Sequence, residues 1–366
     1  MVNALTIDVE DYFQLHAFSG AVHQEDWDSF EPRVERNTHR PLDLLDTGSA
    51  QQPFKSQARP VESEGYSTGA KRSSSLPRSM FTPFNVHPVE SKNHSTRVKP
   101  IQPGRRLFHR GEAVLQPPAK LRATFFVLGW IADRFPSLVK EIHRRGHEVA
   151  CHGYAHKCIF NQTREEFTED IKRAKTILED LTGEAILGYR APSFSITRAT
   201  LWSLEIIYEL GFRYDSSIFP VKHDSYGLPD GPRFPCLLTF NGTENVEFKE
   251  LEYDSDSFLS ISDSILEFPL TTIRFSGHNI PASGGGYFRL FPYPLTRHFL
   301  KGINEKEGRA FIFYIHPWEI DPDIPKIKGA GILSKFRTYV NLDKTENRFK
   351  RLLSDFHFSS VLDLLK

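Results

Sequence analysis

The stretch RATFFVLGWIADRFPSLVKEIHRRGHEVACH, residues 122–152, decides the fold class. Its first eight residues are rich in aromatic and β-branched side chains and read as a buried strand. Residues 130–145 then read as an amphipathic helix, stopped by Gly146. HEVACH returns to strand. Outward from there the alternation continues. Thr163 with Glu166 three residues later is a capping box that opens a helix over 163–182, and Gly183 closes it. AILGYR, a helix over 197–210 and FRYD follow. Strands alternating with helices imply a mostly parallel sheet, open or closed into a barrel.

Towards the N-terminus, residues 3–9 read as another buried strand. Residues 33–46 read as a helix, against whose continuity Pro41 argues. Beyond FRYD, residues 220–260 read as irregular, and ILEFPLTTIRF and AFIFYIHP supply later strands. Between the two patterned regions, residues 47–120 are rich in Ser, Pro, Gln, Arg and Lys and show no helical or strand period. Such a segment cannot bury enough apolar surface to offset chain entropy, so a long disordered insertion is expected there.

Composition narrows the function classes. The 366 residues are 39% hydrophobic and 13% aromatic, enough for a sizeable core, and the 30 Phe suit an aromatic-rich core or a carbohydrate-facing groove. Lys+Arg (46) balance Asp+Glu (46), so no electrostatic footprint points to nucleic acid. No run of about 18 apolar residues suggests a transmembrane segment. No basic-then-apolar leader stands at the start, and Cys151, Cys158 and Cys236 lack metal-site or redox spacing. The expectation is a cytoplasmic protein, at most peripheral at an inner membrane.

Four chemistry-bearing stretches sit just past expected strands, where active-site loops of parallel sheets gather. TIDVEDYF (6–13) crowds Asp8, Glu10 and Asp11 at a strand end, where like charges need a cation or an Arg to compensate. HGYAH places His152 and His156 four apart, on one face if the segment is helical, as metal ligands would be. A nearby carboxylate would complete a two-His, one-carboxylate set. In YRAPSFS (189–195), Arg190 reads either as a surface residue or as the partner that keeps a carboxylate ionised. FYIHPWE puts His316 directly after an apolar strand.

Together and in this order, these stretches resemble the polysaccharide deacetylase family, the NodB-homology carbohydrate esterases. The matching residues are Asp8-Val9-Glu10, His152 to His156, Arg190-Ala191-Pro192, Asp215 in YDSSIFP, and Tyr314-Ile315-His316. DVEDYFQ, ATFFVLGW, GYRAPSFSIT, GGGYFRLFPY and FYIHPWEIDP are similar, more narrowly, to the subfamily found with exopolysaccharide and exosortase gene clusters.

The resemblance implies an α/β fold of distorted (β/α) barrel type. Residues 1–46 and 121–230 would form the first part of the deacetylase core. Residues 231–366 would be a subfamily-specific C-terminal region that includes the last catalytic strand. It implies a divalent metal, Zn²⁺ by expectation, held by Glu10, His152 and His156. Asp11 stays an alternative to Glu10, although the period of two in a strand favours Glu10 beside Asp8. Asp8 would be the general base and Arg190 its orienting partner. His316 would be the acid, with Asp215 tuning it. Ser193 would stand by the oxyanion, and Tyr314 by the acetyl methyl. Tyr287, behind Gly284-Gly285-Gly286, and Trp318 would face the sugar, Trp318 by stacking. No helix is expected to open behind the glycines.

The implied activity is N-deacetylation of an N-acetylated saccharide, in an exopolysaccharide or its lipid-linked precursor, with exopolysaccharide-assembly partners. A hydrolase of small amides or ureides and a non-catalytic saccharide-binding protein are the competing readings.

Overall fold

The computed structural model describes residues 1–48, 121–223, 226–240, 246–251 and 264–365. The segment expected to be disordered, 47–120, lies outside them except for Thr47 and Gly48.

Strand β1 (Val2–Val9) is the first element and pairs with three other strands. Helix α1 (Val34–Gly48) follows and runs unbroken through Pro41, contrary to the expectation from sequence. β2 (Thr124–Val127) leads to α2 (Gly129–Arg134) and α3 (Pro136–Arg144). The single helix expected here is broken at Phe135 (φ −126°, ψ 56°), because a residue before proline is pushed out of the helical region. Next come β3 (Glu148–Cys151) and α4 (Arg164–Thr182), whose capping box at Thr163 and left-handed Gly183 stand where the sequence placed them. β4 (Gly188–Tyr189), α5 (Ser203–Glu209) and β5 (Tyr214–Asp215) complete the alternation.

The region read as irregular contains an antiparallel pair, β6 (Cys236–Phe240) and β7 (Val246–Glu250). After β8 (Ile265–Glu267) comes a separate hairpin of β9 (Thr272–Phe275) and β10 (His278–Pro281). The chain ends in α6 (Gly285–Leu290), α7 (Tyr293–Glu305), β11 (Ile312–Ile315), α8 (Ile332–Tyr339), α9 (Leu342–Asp355), β12 (His357–Ser359) and α10 (Val361–Leu364). The start of α6 at Gly285 corrects the expectation that no helix opens behind the glycines. A Gly-rich first turn hides the helical pattern.

The ladder runs β11-β1-β2-β3-β4-β5-β8-β6-β7, with β12 also on β1. Pairings from β11 through to β8 are all parallel. Alternation along each strand separates two cores. Leu5, Ile7, Val9, Phe125, Val127, Phe313 and Ile315 pack outward beneath the helices. Ala4, Phe126, Ala150, Ile312 and Tyr314 point inward, where Val361 and Leu365 plug one end.

Two bonds show how strongly the sheet curls. In a flat sheet β1 and β4 would stand three spacings of about 4.8 Å apart. Yet Arg190, just after β4, reaches Asp8 on β1 at 2.7 Å. The gap between β8 and β11 is bridged by Ile312 N–H donating to Thr271 Oγ1 at 2.8 Å, rather than by a ladder among the described residues. This is a distorted (β/α) barrel. The small and polar inner column of β1, Ala4, Thr6 and Asp8, leaves its interior room for a guanidinium.

Candidate metal centre and cleft

β1 ends in a tight turn, with Glu10 N–H donating to the Asp8 carbonyl at 3.0 Å. Asp8 and Glu10 therefore share the inner side, and both are buried. Asp11 turns away. Its carboxylate accepts the backbone N–H groups of Arg33 (2.6 Å), Val34 (2.9 Å) and Tyr12 (2.9 Å), which caps the start of α1. Of the two alternatives, Glu10 is the carboxylate beside the histidines. One carboxylate oxygen of Glu10 and one ring nitrogen each of His152 and His156 all lie within 4.8 Å of one another.

The HGYAH segment is a loop rather than the helical turn its spacing suggested. Asp170 on α4 holds it by accepting Tyr154 N–H (2.7 Å) and Ala155 N–H (3.1 Å). His156 sits at φ +50°, a left-handed conformation rare for a residue with a Cβ. Ser193 (φ +54°) and Phe194 (φ +53°) are strained in the same way on the facing wall. Sequence reasoning missed Asp170, because its link to the loop exists only once α4 packs on β3.

Electrostatics prepare each donor. His152 Nδ1 pairs with the Arg190 carbonyl at 2.8 Å. A carbonyl only accepts, so the proton is on Nδ1 and the Nε2 lone pair is left free. Burial lowers the His152 pKa to about 4, which keeps the ring neutral. For Glu10, burial works to raise the pKa, but His156, His316 and His152 outweigh it and bring the value to about 2. Its carboxylate contacts His156 Nε2 at 2.6 Å and accepts Trp318 Nε1–H at 3.3 Å.

Arg190 is fully buried, and each of its guanidinium nitrogens donates a hydrogen bond. Nη1 donates to Asp8 Oδ1 and Thr6 Oγ1, both at 2.7 Å, Nη2 to Ser216 Oγ (2.7 Å) and Nε to the Ser216 carbonyl (2.9 Å). The guanidinium also lies 4.1 Å from the Phe126 ring centroid. The surface reading of Arg190 is excluded.

His316 Nε2 stands 3.8 Å from Asp8 and 3.5 Å from Glu10. Its Nδ1 faces Glu319 Oε2 at 3.2 Å, and buried Arg289 donates from Nε to Glu319 Oε1 at 2.8 Å. Burial opposes the charged ring, yet Glu10, Glu319 and Asp8 raise the His316 pKa to about 9. The expected partner of this His was Asp215. Asp215 instead binds Ser217, by N–H (3.1 Å) and Oγ–H (2.6 Å), and lies opposite Glu267 in the β5–β8 register. Parallel pairing draws it towards β8, whereas Glu319 lies one turn beyond His316. Glu319 was visible in FYIHPWE, but its role depends on the buried Arg289 some thirty residues earlier.

A cleft of about 400 Å³ opens over these groups. Asp8, Glu10, Ser193, Tyr287, Tyr314 and Trp318 all contribute to its lining. Trp318 cannot stack on a sugar. It is 2% exposed, and the His316 ring covers it at 5.5 Å between centroids. The glycines pack against the backbone and ring of Tyr314: a Cβ on Gly284 would stand 2.1 Å from the Tyr314 carbonyl oxygen, and one on Gly285 2.5 Å from the Tyr314 hydroxyl.

Comparison with known proteins finds two family models and several partial relatives. Residues 115–214 match the family model described as polysaccharide deacetylase, and residues 216–366 match a domain of unknown function, DUF3473. The chain is 34% identical over 98 residues to a peptidoglycan deacetylase of Helicobacter pylori, covering 27% of this chain and 32% of that one. It is 35% identical over 86 residues to a peptidoglycan-N-acetylglucosamine deacetylase of Bacillus cereus, covering 23% and 31%. The matched stretches thus span about a third of these relatives. Among solved structures, an allantoinase aligns at 16% identity and a TM-score of 0.43, over 67% of this chain and 66% of that one. Residues 115–214 are thus similar to polysaccharide deacetylases, by the family model and by the curated relatives alike.

Proposed function

We propose that this protein is a metal-dependent N-deacetylase that hydrolyses the acetamide of an N-acetylhexosamine unit. The observation that carries the reading is the division of labour between two buried carboxylates two residues apart. Glu10 faces two histidines, and Asp8 faces an arginine and His316.

The donor set fits a divalent cation. His152 is neutral with its lone pair free, Glu10 is ionised, and His156 closes the group. Three N/O ligands with room left over suit a catalytic Zn²⁺. When bound, such an ion supplies Lewis acidity to a substrate carbonyl and acidifies water. The chain's own residues do the rest. Asp8, aimed by Arg190, accepts the proton of the attacking water. His316, charged near neutral pH, gives a proton to the departing sugar nitrogen, so the products are acetate and the free amine. Glu319 fixes the ring so that Nε2 faces the cleft, and Arg289 fixes Glu319. Ser193 and Phe194, held in strained backbone at the rim, line the pocket for the acetyl group.

Residues 1–46, 121–230 and 231–366 act as one catalytic unit in this reading, since β8 and β11 lie in the same parallel run and His316 follows β11. The substrate we favour is an exopolysaccharide unit or its lipid-linked precursor, as the exopolysaccharide-locus resemblance implies, with assembly partners nearby. A reducing compartment, the cytoplasm, suits three free buried cysteines. The test is acetate release from N-acetylglucosamine oligomers before chelation, after it, and after Zn²⁺ is restored. Release that stops and returns supports the proposal; release indifferent to chelation contradicts it.

A further inference from the structure

We propose that α8 and the basic segment before it form a docking surface for an anionic lipid bilayer, which sets the mouth of the cleft against the membrane. Soluble proteins rarely expose clustered large apolar side chains without a partner. Here Ile332 is 90% exposed, Leu333 59% and Phe336 55%, all on one eight-residue helix. At 100° per residue, positions i, i+1 and i+4 share one face. Leu290, 47% exposed at the end of α6, lines the same cleft mouth as Phe336. The opposite face of α8 is anchored. Thr338 is buried, and its carbonyl accepts Arg289 Nη1–H at 2.5 Å, so the apolar face is held outward by the fold.

Charge selects the occupant. Residues 324–341 carry Lys326, Lys328, Lys335 and Arg337 and no Asp or Glu, in a chain whose charges balance overall. None of these four forms an ion pair among the described residues. Other exposed cations do, such as Arg134 with Asp28 and Arg173 with Asp133. Apolar side chains flanked by unpaired cations suit the interface of a bilayer with anionic headgroups. A second copy docked by two-fold symmetry would set the basic segments against each other. Among the described residues no helix is long and apolar enough to cross a membrane, and the contact proposed is peripheral. This inference does not rest on the deacetylase reading. If both hold, the acetylated sugar is presented to the cleft from a lipid carrier in the bilayer.

Flotation of the full chain with vesicles tests it. Wild type should float with phosphatidylglycerol–phosphatidylcholine vesicles, lose most binding in high salt, and stay behind with phosphatidylcholine alone. Ile332→Ser/Leu333→Ser and, separately, Lys326→Gln/Lys328→Gln should weaken partition about tenfold or more. Both should keep the wild-type melting temperature and acetate release from soluble oligomers, since none of these side chains lines the cleft. Failure of wild type to float with anionic vesicles, or equal flotation of folded variants, would overturn the proposal. So would a dimer in sedimentation that Ile332→Ser/Leu333→Ser dissociates while vesicle binding is absent, for the patch would then be a self-association face.

Discussion

Arg190 carries a charge into the buried interior, and what makes that tolerable is that four acceptors meet its guanidinium, Asp8 among them. Removing one partner of a buried ion pair strands the other. Arg190→Met should therefore destabilise the fold by about 3–5 kcal/mol, read from urea denaturation, while a surface arginine such as Arg198 should change it little. Glu319→Gln keeps the shape but loses the charge beside His316. Deacetylation should fall about 10- to 100-fold in kcat with KM little moved, and Glu319→Asp should restore part of it. At this scale the sequence was informative where chemistry follows strand period. Asp8 and Glu10 on one side, His152, His156, Arg190 and His316 were all legible from their places behind apolar runs. Asp170 and Glu267 were not, and Glu319 was visible in place but not in role, because each acquires its partner from another element.

Elements meet through two carboxylates that do no chemistry. Asp11 accepts the first N–H groups of α1, so Asp11→Ala should cost about 1–2 kcal/mol of stability and leave metal binding intact, measured by denaturation and by metal content. On the neighbouring strands β5 and β8, Glu267 stands directly opposite Asp215. Burial, and then the Asp215 charge, push Glu267 well above its ordinary value of 4.5. The folded state therefore holds a proton that the unfolded chain releases above about that pH. Stability is complete below the unfolded pKa and declines as pH rises towards the folded one. Glu267→Gln should match wild type in urea midpoint near pH 4 and exceed it increasingly towards pH 8, approximately; equal midpoints throughout would refute the assignment. The strand–helix alternation from 122 to 215 was legible because each element buries one regular face. The β6–β7 hairpin was not. β7 is the edge strand and β6 its inner neighbour, and along both only some positions are covered, so the apolar signal is thin.

Over the whole molecule, the parallel order β11 to β8 makes residues hundreds of positions apart neighbours: Thr6 pairs with Tyr314 across β1 and β11. The barrel class could be read from alternation, but its side-chain closure at Thr271 could not, since no local pattern marks a strand that fails to pair. Chain continuity across residues 49–120 bears on this fold less than its length suggests. Gly48 and Leu121 already meet, a Cβ on the glycine lying 2.8 Å from Leu121 Cδ1. Replacing 49–120 by a short Gly-Ser linker should leave the melting temperature within a few degrees and acetate release within about twofold. The central claim is that Glu10 and the two histidines hold the ion while Asp8 moves the proton. The most direct test is acetate release per bound metal in Asp8→Asn against wild type. The account predicts one divalent ion per chain in both, with release in the variant lower by about 10²- to 10⁴-fold. Release near the wild-type rate from metal-loaded Asp8→Asn would contradict it.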